Sequence, residues 1–214
     1  MKNNRKNFIK AIMAGICIGL GGTCFLALDN KVIGAFMFSL GLLTICMNKF
    51  LLFTGKVCFA RTKNDALNLI LVWFGNLFGC SIVGLMIHYL KPQFVEKANG
   101  MCTLKLSEGI NVILLGILCN ILIYFAIKNF NGEGEKHIVA DSRRVLALIV
   151  CVMAFILCGF EHCIANMYYF FVSDMVLKSF IYLTLNTIGN AIGGFAMGLI
   201  CEKLYEWGGD NNGT

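Results

Sequence analysis

Six apolar stretches of membrane-spanning length follow one another along this chain, at residues 8–28, 32–60, 66–90, 107–128, 143–172 and 178–201. A helix needs roughly 20 apolar residues to cross the hydrocarbon core of a bilayer. Only 14% of the residues are charged and 58% are hydrophobic, whereas a soluble domain carries about a quarter charged residues. The chain therefore reads as an all-α integral membrane protein, with residues 1–214 forming one domain and the lipid bilayer as its first partner.

Two of the stretches are long and interrupted. The second carries Asn48 and Lys49 in its middle, and the fifth carries Glu161 and His162. Each reads as two half-helices joined by a loop. Backbone of that kind is tolerated at membrane depth only where it is buried in protein or lines a wet cavity. An acid and an imidazole at that depth are expensive and point to a functional site. Gly159 precedes the pair and Asn166 follows it, as in the interrupted helices where transporters place their substrate sites. The chain has one proline, Pro92, so its bends fall to glycine.

Charge sets the expected orientation. With the N-terminus inside, the inner segments hold Lys2, Arg5, Lys6, Lys10, Arg61, Lys63, Lys128, Lys136, Arg143, Arg144 and Lys203. They outnumber Lys31, Lys91, Lys97, Lys105 and Lys178 on the other side. The excess predicts both termini in the cytoplasm of a multi-pass protein of the inner or plasma membrane. The net charge of +6 is thus read as topology, with no nucleic-acid partner. The first stretch runs past the core of a signal peptide and lacks a clear cleavage site, so it is read as a span. The 11 cysteines fall almost entirely within spans, with no CxxC and no histidine at ligand spacing. They are read as reduced, buried hydrophobes, with no metal and no cofactor.

The two halves share landmarks in one order. Ala14-Gly15-Ile-Cys-Ile-Gly19 in the first stretch faces Leu115-Gly116-Ile-Leu-Cys-Asn120 in the fourth. Gly75-Asn76-Leu-Phe-Gly79 in the third faces Gly189-Asn190-Ala-Ile-Gly193 in the sixth. Repeats over about 8–90 and 107–201, each with an odd number of spans, run through the membrane in opposite senses. This is the inverted-repeat plan, with a site near the midplane at the repeat interface. Close helix packing accounts for most of these glycines, while Asn76 and Asn190 are suited to bond loop backbone.

Leu52-Phe-Thr-Gly55, Gly116-Ile-Leu-Cys-Asn120, Gly159-Phe-Glu-His-Cys-Ile-Ala-Asn-Met167 and Ile188-Gly-Asn-Ala-Ile-Gly-Gly194 together resemble the formate/nitrite transporter family, over the whole chain. The resemblance implies an aquaporin-like architecture of six helices, the second and fifth broken. It also implies a homopentamer with one pore per protomer, passing small monovalent anions such as formate, nitrite or hydrosulfide. Carried onto this sequence, the pore histidine is His162 and the threonine facing it is Thr54. Asn120 and Asn190 match polar pore or loop-anchoring positions, and Lys105 matches the anion-attracting lysine. The apolar constrictions match Phe38, Leu42, Phe53, Ile123 and Phe155. The chain departs from the family pattern around the first interruption. Leu51 replaces a polar residue, Lys56 follows Gly55, and Lys49 adds a second positive charge. Lys56 has two readings, a lysine reaching for the inner interface or one attracting anions.

The chemistry can be stated from the residues alone. An anion entering an apolar slit pays heavily in desolvation, and a fixed charge inside the slit would trap it. Histidine has the unperturbed pKa nearest physiological pH. If His162 lends a proton to a weak-acid anion, a neutral acid crosses and protons become the second permeating partner. Glu161, which would repel anions if it pointed into the pore, is expected to face away and hold the loop in shape together with Asn166. The chain is not expected to be an enzyme. Two other functions compete. A water or small-solute channel of the aquaporin type lacks its Asn-Pro-Ala pair here. A membrane redox or haem subunit would want two facing histidines, and only His162 is deep. His88 and His137 lie near span ends.

Overall fold

The computed structural model describes residues 2–132 and 138–210, and among these it is helical with no strand. Nine α-helices follow in order: α1 (Lys2–Ala27), α2 (Lys31–Met47), α3 (Phe53–Val57), α4 (Lys63–Leu90), α5 (Pro92–Ser107), α6 (Val112–Asn131), α7 (Ile138–Leu157), α8 (Cys163–Val172) and α9 (Phe180–Asp210). His137 and Lys136 lie outside the described residues. Among the described residues, four segments are long and apolar enough to cross a membrane: Asn4–Ala27, Lys63–Leu90, Gly109–Asn131 and Phe180–Leu204. The helices Lys31–Met47 and Cys163–Val172 are apolar but shorter. The second apolar stretch of the sequence holds α2 and α3, and the fifth holds most of α7 and all of α8.

Local chemistry explains where the helices start. Asn30 caps α2 by accepting the Val32 and Ile33 amides at 3.0 and 3.1 Å. Thr62 and Asp65 form a reciprocal capping box on α4. Pro92 opens α5, where its missing N–H costs nothing.

The helices pack in matched pairs. α1 lies on α4 and α6 on α9, α2 adds to the first pair and α7 to the second, and α8 is enclosed by α1, α4, α5 and α9. Small residues let the long pairs approach closely. A Cβ at Gly79 would meet the Ile12 carbonyl oxygen, and one at Gly193 would meet that of Ile117. The core contains Phe38, Leu42, Ile123, Phe155, Tyr168 and Phe170, all nearly inaccessible. The outer faces keep Leu67, Ile70, Phe74, Phe78, Ile192 and Phe195 exposed. An apolar surface that broad suits lipid or another protein surface and not water.

Sequence patterning did not anticipate α5. The connection after the third stretch is a helix that packs on α8, α4 and α1, with Ala98 and Cys102 buried. Lys97 on it donates to the Leu26 carbonyl at 3.1 Å and to Asp29 at 2.8 Å. That lysine holds the Asp29 carboxyl below the usual carboxylate range.

Candidate functional site

Two asparagines build the frame. Asn76 on α4 accepts the Phe53 amide at 2.9 Å and donates to the Ala11 and Leu51 carbonyls, each at 2.8 Å. Asn190 on α9 accepts the Cys163 amide at 2.8 Å and donates to the Gly116 and Glu161 carbonyls, each at 2.8 Å. Each side chain thus starts a short helix, α3 or α8, and ties the preceding loop to a long helix. Buried backbone groups need partners, and here the side chains supply them. The loops match further. Phe50 donates to the Ile45 carbonyl and Leu51 to that of Lys10, as Phe160 does to Phe155 and Glu161 to Leu115.

This frame brings Thr54 and His162 together. Thr54 Oγ1 lies 2.9 Å from His162 Nε2, and both residues are buried. His162 also caps α8, its Nδ1 accepting the Ala165 amide at 3.1 Å. A neutral imidazole that accepts at Nδ1 carries its hydrogen at Nε2, so Nε2–H donates to the Thr54 hydroxyl. The Phe155 ring stacks on the imidazole with centroids 5.7 Å apart, and Phe38 meets Phe155 edge-on at 6.3 Å.

Cavities lie on either side. One, of about 80 Å³, is lined by Phe38, Phe155, Lys105, Glu161, His162 and Asn166, among others. The other, of about 270 Å³, is lined by Leu42, Leu52, Ile127, Lys49 and Lys56, among others. The first includes Phe25 near the end of α1. The second includes the end of α2 and the residues on either side of Leu51, whose amide bonds the Lys10 carbonyl in the first half of α1.

Lys105 does not stand alone. Its ammonium donates to both Glu161 oxygens at 2.6 Å, and the two side chains are only 14% and 4% exposed. Glu161 Oε2 also accepts Asn166 Nδ2 at 2.7 Å, and the same amide nitrogen donates to Asn186 Oδ1 at 2.8 Å. Asn186 Nδ2 closes the ring on the Glu161 carbonyl at 2.8 Å. A carboxylate this buried needs its cation and its hydrogen bonds together. On the rim of the same network, Tyr182 donates to Glu108 at 2.9 Å.

The expected residues therefore separate into groups. His162, Phe155, Phe38, Lys105, Glu161 and Asn166 meet at one cavity, with Thr54 in contact with His162. Leu42 and Lys56 line the other. Of the two readings for Asn190, pore-lining or loop-anchoring, the geometry fits the anchor, since its amide bonds three backbone partners. Phe53 and Ile123 are buried but line neither cavity. Asn120 donates to the Thr54 carbonyl at 3.0 Å. Its Oδ1 is the one buried side-chain oxygen or nitrogen without a partner among the described residues. His88 donates to or accepts from neither cavity, and its Nδ1 meets the Val172 carbonyl at 2.9 Å. Asn186, Glu108 and Tyr182 were missed. An asparagine one turn before Asn190 in an apolar span was the available signal for Asn186.

The family model described as Formate/nitrite transporter matches residues 1–202. The formate channel FocB of Escherichia coli is 27% identical, over 75% of this chain and 64% of its own length. The formate channel FocA of the same organism is also 27% identical, over 78% of this chain and 66% of its own length. This chain thus spans just under two thirds of the length of the formate channels it matches. The nitrite transporter NirC of Salmonella typhimurium is 29% identical, over 96% of this chain and 84% of its own length. A solved pentameric formate channel with formate bound superposes with a TM-score of 0.79 at 26% identity, covering 96% of this chain and 97% of that one.

Proposed function

Because this chain belongs to the formate/nitrite transporter family, we propose that it is a membrane channel for small monovalent weak-acid anions. Formate and nitrite are the first candidates and hydrosulfide is the alternative. The chain acts as a homopentamer with one pore in each protomer, spanning the plasma membrane six times with both termini in the cytoplasm. Its halves are inverted repeats, and the loops at 48–52 and 158–162 lie near mid-membrane.

The observation that carries this reading is the Thr54–His162 contact at 2.9 Å between two cavities. An anion arriving from the Lys105 side passes Phe38 and Phe155, meets the hydrogen of the Thr54 hydroxyl, and takes the place of that hydroxyl as acceptor of His162 Nε2–H. These two contacts replace part of the water it has lost. Lending a proton needs one more move. Neutral His162 has its hydrogen at Nε2, so giving that hydrogen away requires a proton to arrive at Nδ1. The Ala165 amide must then release Nδ1. Transfer to the anion makes a neutral acid, and the unpartnered Asn120 Oδ1 is an acceptor suited to its O–H or S–H. The Lys105–Glu161 pair leaves little net charge at the mouth, so a bound anion is not trapped there, and it holds the His162 loop.

The test is flux of formate, nitrite and hydrosulfide into proteoliposomes from about pH 5 to pH 8. Wild type conducts at least one of them, faster as the pH falls. His162→Asn loses roughly tenfold in rate, the worth of one hydrogen bond, and its pH profile flattens. An unchanged pH profile in His162→Asn would sink the proton-lending step. A wild type passing none of the three would sink the substrate class.

A further inference from the structure

The two cavities differ in charge. In the Lys105 cavity the lysine is neutralised by Glu161 at 2.6 Å. In the other, Lys49 and Lys56 line one space of about 270 Å³, and no aspartate or glutamate is among its described lining residues. A neighbouring depression shares Phe59 and Asn131 with it and adds Arg143, again with no carboxylate among the described lining residues. Two cations in a concave, low-dielectric mouth concentrate anions far more than one paired cation does.

Lys49 carries a second, independent sign. It has φ +54°, the only non-glycine residue at positive φ among the described residues. The matching place in the other loop, set by the equivalent Phe50 and Phe160 hydrogen bonds, is Gly159 at φ +71°. Glycine adopts this backbone freely and lysine does not. Lys49 is exposed; its amide bonds the Cys46 carbonyl at 3.2 Å, and its side chain has no hydrogen bond or ion pair among the described residues that would offset the strain. Strain of this kind concentrates where a side chain has a task.

We infer that Lys49 and Lys56 form a second anion site, distinct from the Thr54–His162 contact, that holds a small ionised oxyanion on the membrane face where α1 begins. The inference builds on the proposed function. The site binds the charged form, so the anion is loaded ionised there and takes its proton only deeper, at His162. Loading from this face then saturates at lower concentration than loading from the Lys105 face. Sulfate, which has the same chemistry and a second charge, occupies the site without passing the apolar slit.

The test uses Lys49→Gly combined with Lys56→Gln, in vesicles carrying the protein in one orientation. The KM for formate entering from the α1 face rises about fivefold at low salt, and the KM from the Lys105 face stays unchanged. The difference shrinks toward 1 M salt, where screening reaches about 3 Å. Equal KM changes from both faces, or none, would overturn the site. A lysine merely reaching for the interface would move neither KM. A separate arm is independent of transport. At constant ionic strength, sulfate raises the unfolding temperature of the solubilised wild type more than that of the double variant. If wild type passes no formate, the functional reading has failed, and this arm still decides the site. An equal sulfate shift in both proteins then overturns it.

Discussion

The loop before α3 and the loop before α8 share a backbone and differ in almost every side chain that faces a cavity. Both are tied by an asparagine to the next long helix, and both send two amides back to equivalent carbonyls. Yet Leu51 stands where Glu161 stands, Lys49 where Gly159 stands, and α3 has 5 residues against 10 in α8. The comparison teaches that frame and chemistry are separable here. Two loops with one hydrogen-bond frame hold a neutral hydroxyl in one case and an imidazole with a buried ion pair in the other. The difference between the two cavities follows mainly from side chains.

The frame is tested first, because its loss costs most. Asn76→Ala and Asn190→Ala each strand three buried backbone partners, and each lowers stability by about 2–4 kcal/mol. Thermal unfolding in detergent measures both. Similar losses support a shared frame, and a tolerated Asn76→Ala beside a damaging Asn190→Ala would break the equivalence. The chemistry is tested next. Lys105→Met leaves Glu161 buried without its cation and costs about 3 kcal/mol, while Lys105→Met with Glu161→Gln recovers most of that. In the α3 loop the same position is Leu51, which needs no cation. A full cost remaining in the double variant would show that Lys105 supports α5 packing and not the carboxylate.

Much of this was legible in the sequence, for identifiable reasons. Helices show as long apolar runs because each must cover its own backbone. Glu161 and His162 stood out because charge in such a run is expensive. Family membership was carried by the residues flanking these positions. What stayed hidden depends on distance in space. Nothing local says that Lys105 meets a carboxylate 56 residues away, and so the ion pair could not be read from the sequence. Asn190 and Asn120 look alike as buried amides in apolar helices, but one is saturated and the other keeps a free oxygen. The helix α5 escaped because it is only weakly apolar and carries lysines, so it reads as a loop between spans.

The smallest effect isolates the backbone from everything else. At Gly159 nothing lies within 4 Å of where a Cβ would sit, so Gly159→Ala adds no clash and tests conformation alone. The left-handed region costs an L-residue about 1–2 kcal/mol, and Gly159→Ala is expected to lose about 1 kcal/mol of that. Lys49 bears the same cost already, so Lys49→Gly should gain somewhat less, about 0.5 kcal/mol, because glycine also loosens the unfolded chain. Opposite signs at equivalent positions are the expected outcome in a single series of unfolding curves. If Lys49→Gly destabilised the protein, Lys49 would be making a contact that offsets its strain. The case for a lysine kept there for its charge would then lose its footing.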